Sequence, residues 1–135
     1  AALLYREVPV NSIWEGSGNV MALDVLRVLQ REPDVVTLVM DELAEAVAGD
    51  AHLKAGLQRV EAILHEPRTL DRRARQLLEA LAIVAAGAVL RERAPAFVAD
   101  AFIASRISGL PRATYGQGID WADASSIIAR ALPAI

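Results

Sequence analysis

Apolar residues recur at three- and four-residue intervals along most of this chain, and no stretch alternates apolar with polar in the two-residue rhythm of a strand. That periodicity admits helices and little else, so the expected fold class is all-α, a helical bundle. Prolines and glycines divide the pattern. From Gly18 to Arg31, Asp24, Arg27 and Arg31 form one narrow polar stripe, while Val20, Met21, Leu23, Val25, Leu26, Val28 and Leu29 cover the rest. A helix so apolar is expected to be surrounded by protein. Pro33 ends it, and Asp34 is placed to cap a second helix presenting Val36, Val39, Met40, Leu43 and Val47, which stops at Gly49.

Asp50 then caps a third helix, striped by Leu53, Leu57, Val60 and Leu64. Pro67 stands near the first turn of a long fourth helix reaching about Arg93. Pro95 and Phe97 open a fifth that runs to about Ser108. Residues 109–118 hold three glycines and a proline and are expected to be loop. Asp120 is placed to cap a last helix with Trp121, Ala124, Ile128 and Leu132 on its apolar side. At the other end, residues 1–5 look like a helix terminus and 6–16 a connector, with Ser17 capping the helix at Gly18.

Composition excludes several kinds of chemistry. With no cysteine among its 135 residues, the chain has no disulfide, zinc–thiolate site or cysteine nucleophile, which suits a reducing cytoplasm. His52 and His65 are the only histidines, 13 positions apart, and are expected to be solvated or capping rather than metal-ligating. The net charge of −3 gives no overall attraction for nucleic acid or anionic lipid. The opening Ala1–Leu4, running into Arg6 and Glu7, has no secretory-signal pattern. The nearly uncharged run from Ala80 to Leu90 is far short of the roughly 20 residues of a membrane span and is expected to be a core helix.

One segment carries chemistry: Arg6-Glu-Val-Pro-Val-Asn-Ser-Ile-Trp-Glu-Gly-Ser-Gly-Asn19. It sets a lone carboxylate, Glu15, between Trp14 and Gly16, just before a helix N-terminus. Shielding by Trp14 would disfavour the charged carboxylate and poise it as a general base. Gly16 would let a ligand approach the backbone, and the amides after Ser17 would suit a phosphate. On residue chemistry alone a second reading stands beside this one, a helix-capping loop with a solvated glutamate. Gly16-Ser-Gly18 is not a dinucleotide fingerprint, because Met21 stands where the third glycine belongs and no strand precedes it.

Arg6-Glu7, five residues, and then Ile13-Trp14-Glu15-Gly16-Ser17 resembles a signature near the C-terminus of acyl-CoA dehydrogenases, where Arg-Asp is followed at that spacing by Ile-Tyr-Glu-Gly-Thr. The wording from Tyr5 to Leu29 looks most like the AidB-type, adaptive-alkylation-response branch. The resemblance implies that residues 1–31 end the family's C-terminal helical domain and that 32–135 are an additional helical region. It implies Glu15 as the catalytic base on an acyl-CoA thioester, with Gly16 and Trp14 beside the substrate. Ser17, Gly18, Asn19 and Val20 would lie along FAD. Glu7, Trp14 and Ser17 depart from the family's aspartate, tyrosine and threonine. It further implies an electron acceptor and a homo-oligomer, with FAD held poorly by these residues alone. The branch's association with DNA makes Arg27, Arg68, Arg72, Arg73 and Arg75 a candidate DNA-facing set, against a reading of solvated faces and ion pairs such as Asp24–Arg27. A pure oligomerisation role is the third alternative.

Overall fold

The computed structural model describes residues 18–108 and 121–131, with the backbone alone at 19 and 121–124. Among these residues all regular structure is helical, so the all-α expectation holds. Six α-helices follow in order: α1 (Gly18–Arg31), α2 (Pro33–Ala46), α3 (Ala51–Leu64), α4 (Leu70–Arg93), α5 (Ala96–Ile103) and α6 (Trp121–Ala131). A 3₁₀ turn, Pro67–Thr69, leads into α4, and a π-helical turn, Ala104–Ser108, continues α5.

The 24 residues of α4 span about 36 Å and form the spine of the bundle, meeting α1, α2, α3, α5 and both short turns. Its inner face supplies Leu77, Val84 and Ala88 to the main core, where they meet Leu53, Leu57, Val60 and Ile63 of α3 and Ile103 and Ile107 from the α5 region. Leu53, Leu57 and Val60 of the α3 stripe are buried and Leu64 is half-buried. A smaller cluster joins Ala22 and Leu26 of α1 to Ala74 of α4.

Two glycines set how closely these elements approach. A Cβ on Gly56 would come within 2.9 Å of a Val84 methyl and 3.1 Å of Ile107. On Gly87 it would lie 2.6 Å from Leu53 and 3.1 Å from Ile107. Ile107 thus fills the space left by two missing side chains on two different helices.

Local chemistry moves several expected boundaries. The cap of α2 is Glu32, not Asp34, and no side chain caps it. Pro33 occupies the first helical position, where its missing N–H costs no hydrogen bond, so Asp34 falls inside the first turn and acts only through its charge. The turn at Pro67 is 3₁₀ because Thr69, at φ −112° and ψ 0°, leaves helical geometry, and the α-helical ladder restarts at Leu70. The expected single helix from 95 to 108 changes to π geometry at Ala104.

Burial also departs from expectation. On α1, Val20, Met21, Leu23 and Val28 are exposed, because within this chain only one side of the helix packs on α4. Val84, Gly87 and Ala88 of the Ala80–Leu90 run are buried, whereas Val89 faces outward at 58% exposure. Phe97 and Phe102 are half-buried. Ile128, expected on the apolar side of α6, is exposed. The loop at 109–118, the N-terminal connector, and the caps assigned to Ser17 and Asp120 lie outside the described residues.

Candidate functional site

Trp14, Glu15, Gly16 and Ser17 lie outside the described residues; Gly18, Asn19 and Val20 form the first turn of α1. A Cβ on Gly18 would sit 2.8 Å from the Arg75 guanidinium carbon, so this cationic head lies directly against the start of α1. The unpaired amides of a helix N-terminus carry a partial positive charge. The Arg75 guanidinium fills the space in front of Gly18 at this helix terminus. In the sequence, Arg75 belongs to the candidate DNA-facing set and nothing links it to Gly18.

The arginines assigned to a DNA-facing patch are spread over different surroundings. Arg27 pairs with Asp24 on the surface of α1, as expected. Arg73 donates to Glu66 and to Gln76, each at 3.1 Å, and lines a pocket against α3. Arg73 and Arg75 are two positions apart on α4, hence about 200° apart around its axis. Arg68 and Arg72 are exposed. His52 is exposed in the first turn of α3, and His65 is the C-cap residue of that helix, its Nδ1 2.7 Å from the Glu61 carbonyl oxygen. No group of three or more potential metal ligands lies together among the described residues.

Three features escaped the sequence. The first is a junction at the start of α3. Asp50 caps it as expected, accepting from the N–H groups of His52 (2.9 Å) and Leu53 (3.0 Å), and its second oxygen also receives Arg91 Nη2 at 2.6 Å and Nε at 3.1 Å. Arg91 Nη1 donates to Asp100 at 2.6 Å, so one side chain ties together α3, α4 and α5. Burial pushes the Asp50 carboxyl up, but the Leu53 amide, the Arg91 hydrogen bond and charge, and the His52 amide outweigh it and hold the group below its ordinary value. The Arg91 guanidinium is held above its own, through its hydrogen bonds to Asp100 and Asp50.

The second is an apolar groove of about 470 Å³ bordered by α1, α2, α3 and α4, with Met21, Val28, Val35 and Val39 along its α1 and α2 sides. The third is a pocket of about 350 Å³ between α3, α4 and the π turn, ringed by Arg59, Arg73 and Arg106. No sequence motif marks it, because its arginines come from three separate elements.

What the fold defines is an all-helical module in which Arg75 of α4 packs against the start of α1. The protein of Escherichia coli (strain K12) named "Putative acyl-CoA dehydrogenase AidB" is 37% identical over 99 residues, which is 73% of this chain and 18% of that protein. No family model and no solved structure matches the chain. The chain belongs to the acyl-CoA dehydrogenase family, as a C-terminal part related to AidB, and the match spans less than a fifth of that relative's length. No helix among the described residues is long and apolar enough to cross a membrane.

Proposed function

We propose that these residues are the C-terminal part of a flavin-dependent acyl-CoA dehydrogenase in which Glu15 is the general base. The observation that carries this reading is the spacing from Arg6-Glu7 to Ile13-Trp-Glu-Gly-Ser17, running directly into α1 at Gly18. The 37% identity to the AidB protein supports the same assignment. Residues 1–31 would close the catalytic helical domain, and 32–135 would be the appended region.

In this reading Glu15 takes the α-proton of the acyl-CoA thioester, with Gly16 giving the thioester room at the backbone and Trp14 walling the acyl chain. The chemistry that bound FAD would supply is acceptance of the hydride leaving the β-carbon. Ser17, Gly18, Asn19 and Val20 would border its pyrophosphate. What supports this placement is the helix N-terminus at Gly18, whose backbone amides favour an anionic group. The substrate would be an acyl-CoA, with a separate electron acceptor, and the working form a cytoplasmic homo-oligomer. These 135 residues alone would hold FAD poorly, since most of a dinucleotide-binding surface lies elsewhere. The DNA-binding reading gains no support from Arg27, Arg73 and Arg75, which face different surroundings.

The test uses the full-length protein with and without Glu15→Gln, its flavin spectrum followed while acyl-CoAs are added anaerobically. Bleaching of the flavin band in the native protein but not in Glu15→Gln is the expected outcome. Equal bleaching in both proteins, or a bound flavin that no acyl-CoA reduces, removes Glu15 from the role of base.

A further inference from the structure

We propose that Arg75 of α4 is a positioning residue for the catalytic segment, holding the start of α1 and, through it, Glu15. The proposal rests on the reading of Glu15 as the general base. In that reading α1 closes the catalytic domain and α4 belongs to the appended region. Helix α1 packs more on α4 than on α2, its neighbour in sequence. The side chain that covers the terminus of α1 nearest Glu15 therefore comes from the appended region.

The contact is built along one stripe of each helix. Gly18, Ala22, Leu26 and Leu29 recur at i, i+4, i+8 and i+11 on α1, and Leu70, Ala74 and Leu78 at i, i+4 and i+8 on α4. Ala22, Leu26 and Ala74 are buried, and Leu29, Leu70 and Leu78 pack around them. The small side chains of Ala22 and Ala74 let the two helices approach closely, and Arg75, next along α4, reaches Gly18. A Cβ at Gly18 would meet Arg75 Cζ at 2.8 Å and its Nε and Nη1 each at 3.0 Å, so the planar head of the side chain occupies that space. The first turn of α1 is thus held at both ends, at Ala22 by burial and at Gly18 by the guanidinium.

Glu15 stands three positions before Gly18, so the two Cα atoms lie within about 11 Å of each other by any path of the chain. A shift in the first turn of α1 is carried into this short stretch. Catalysis is sensitive to such shifts, because a misplacement of about 1 Å costs up to about 10²-fold in rate. Arg75 itself is exposed, and substitutions at exposed positions change stability little. Its effect on the reaction is therefore separable from any effect on folding.

The experiment compares the full-length native flavoprotein with Arg75→Met, which keeps a long apolar stem and removes the guanidinium. Lys54→Met, the same loss of a cation at an exposed site on α3, is the control. Flavin bleaching is followed anaerobically with whichever of butanoyl-, octanoyl- and palmitoyl-CoA reduces the native protein fastest, and hydrogen exchange is read by mass spectrometry of peptides. Arg75→Met should slow bleaching at saturating acyl-CoA about tenfold and leave the half-saturating concentration unchanged. It should also speed exchange severalfold in the peptide covering residues 18–26 and not elsewhere, while Lys54→Met changes none of these. Equal bleaching rates in Arg75→Met and the native protein, or unchanged exchange at residues 18–26, overturn the positioning role and leave the role of Glu15 standing. Faster exchange throughout the chain would make Arg75 a general stability contact and overturns it as well. A native protein that none of the three acyl-CoAs reduces removes the base, and this role with it.

Discussion

Gly87 shows how much a single missing side chain decides here. Its would-be Cβ lies 2.6 Å from a methyl of Leu53, which is fully buried, so the displaced methyl has no solvent to move into. Overpacking of this kind costs about 1–3 kcal/mol, against roughly 1 kcal/mol gained by replacing a helical glycine with alanine. Gly87→Ala should therefore lower stability by up to about 2 kcal/mol. Gly49→Ala, with no atom within 4 Å of the added methyl, should be neutral or slightly stabilising. Urea denaturation reads both, and a Gly87→Ala midpoint at or above that of the native chain would contradict the packing described. The sequence showed Gly87 only as one more small residue in an alanine-rich run expected to be buried. That it is buried was legible; that Leu53 and Ile107, 34 and 20 positions away, need the missing methyl was not, since neither contact leaves a local trace.

At the scale of elements, the capping residue Asp50 was legible because its bonds to His52 and Leu53 are made within three positions. Its link to Arg91 crosses 41 positions and was not. Asp50→Ala removes a helix cap worth about 0.5–2 kcal/mol together with a partner of Arg91. Asp50→Asn keeps a capping oxygen and loses only the charge, so it should destabilise less. The pH dependence follows from the direction of the shift. A carboxyl held below its ordinary value of 3.8 contributes stability that is fully present above that value and is lost as pH falls through its folded value. The stability gap between the native chain and Asp50→Asn should thus be constant from pH 5 to 7 and narrow below about pH 4. A gap that persists unchanged at pH 3 would show that the charge of Asp50 does not act through this junction. The π turn was illegible for a related reason. Ala104–Ser108 continues a helical pattern in sequence, and what marks it out in three dimensions is distant: Ile107 packed between Gly56 and Gly87, its carbonyl taken by Arg59. The candidate sites divide the same way. The Glu15 segment carries a contiguous motif, whereas the three-arginine pocket is assembled from elements that no short window contains.

Across the whole molecule, buried apolar surface is distributed unevenly. Helix α2 has no buried residue, and α1 contributes only Ala22 and Leu26, while α3 buries Leu53, Gly56, Leu57, Val60 and Ile63. Val35, Leu38 and Val39 of α2 remain exposed, and of the apolar stripe legible in that segment Met40 and Leu43 are only half-buried against the core, with Val47, just past the helix, fully buried. Burial of a full aliphatic side chain contributes about 1.5–3 kcal/mol, and regions lacking such contacts open locally before the molecule unfolds as a whole. Amides in the middle of α2, around Leu38 to Glu42, should therefore exchange through local opening several kcal/mol below the global unfolding free energy. Those of Leu57, Val60, Leu77 and Val84 should exchange only with global unfolding, because they lie where α3 and α4 pack against each other and against Ile103 and Ile107. Native-state hydrogen exchange in low urea separates the two classes by their denaturant dependence, flat for local opening and steep for global. If α2 amides showed the same protection and the same slope as Leu57, the bundle would be one cooperative unit and the exposed face of α2 would be held by more than the contacts seen here.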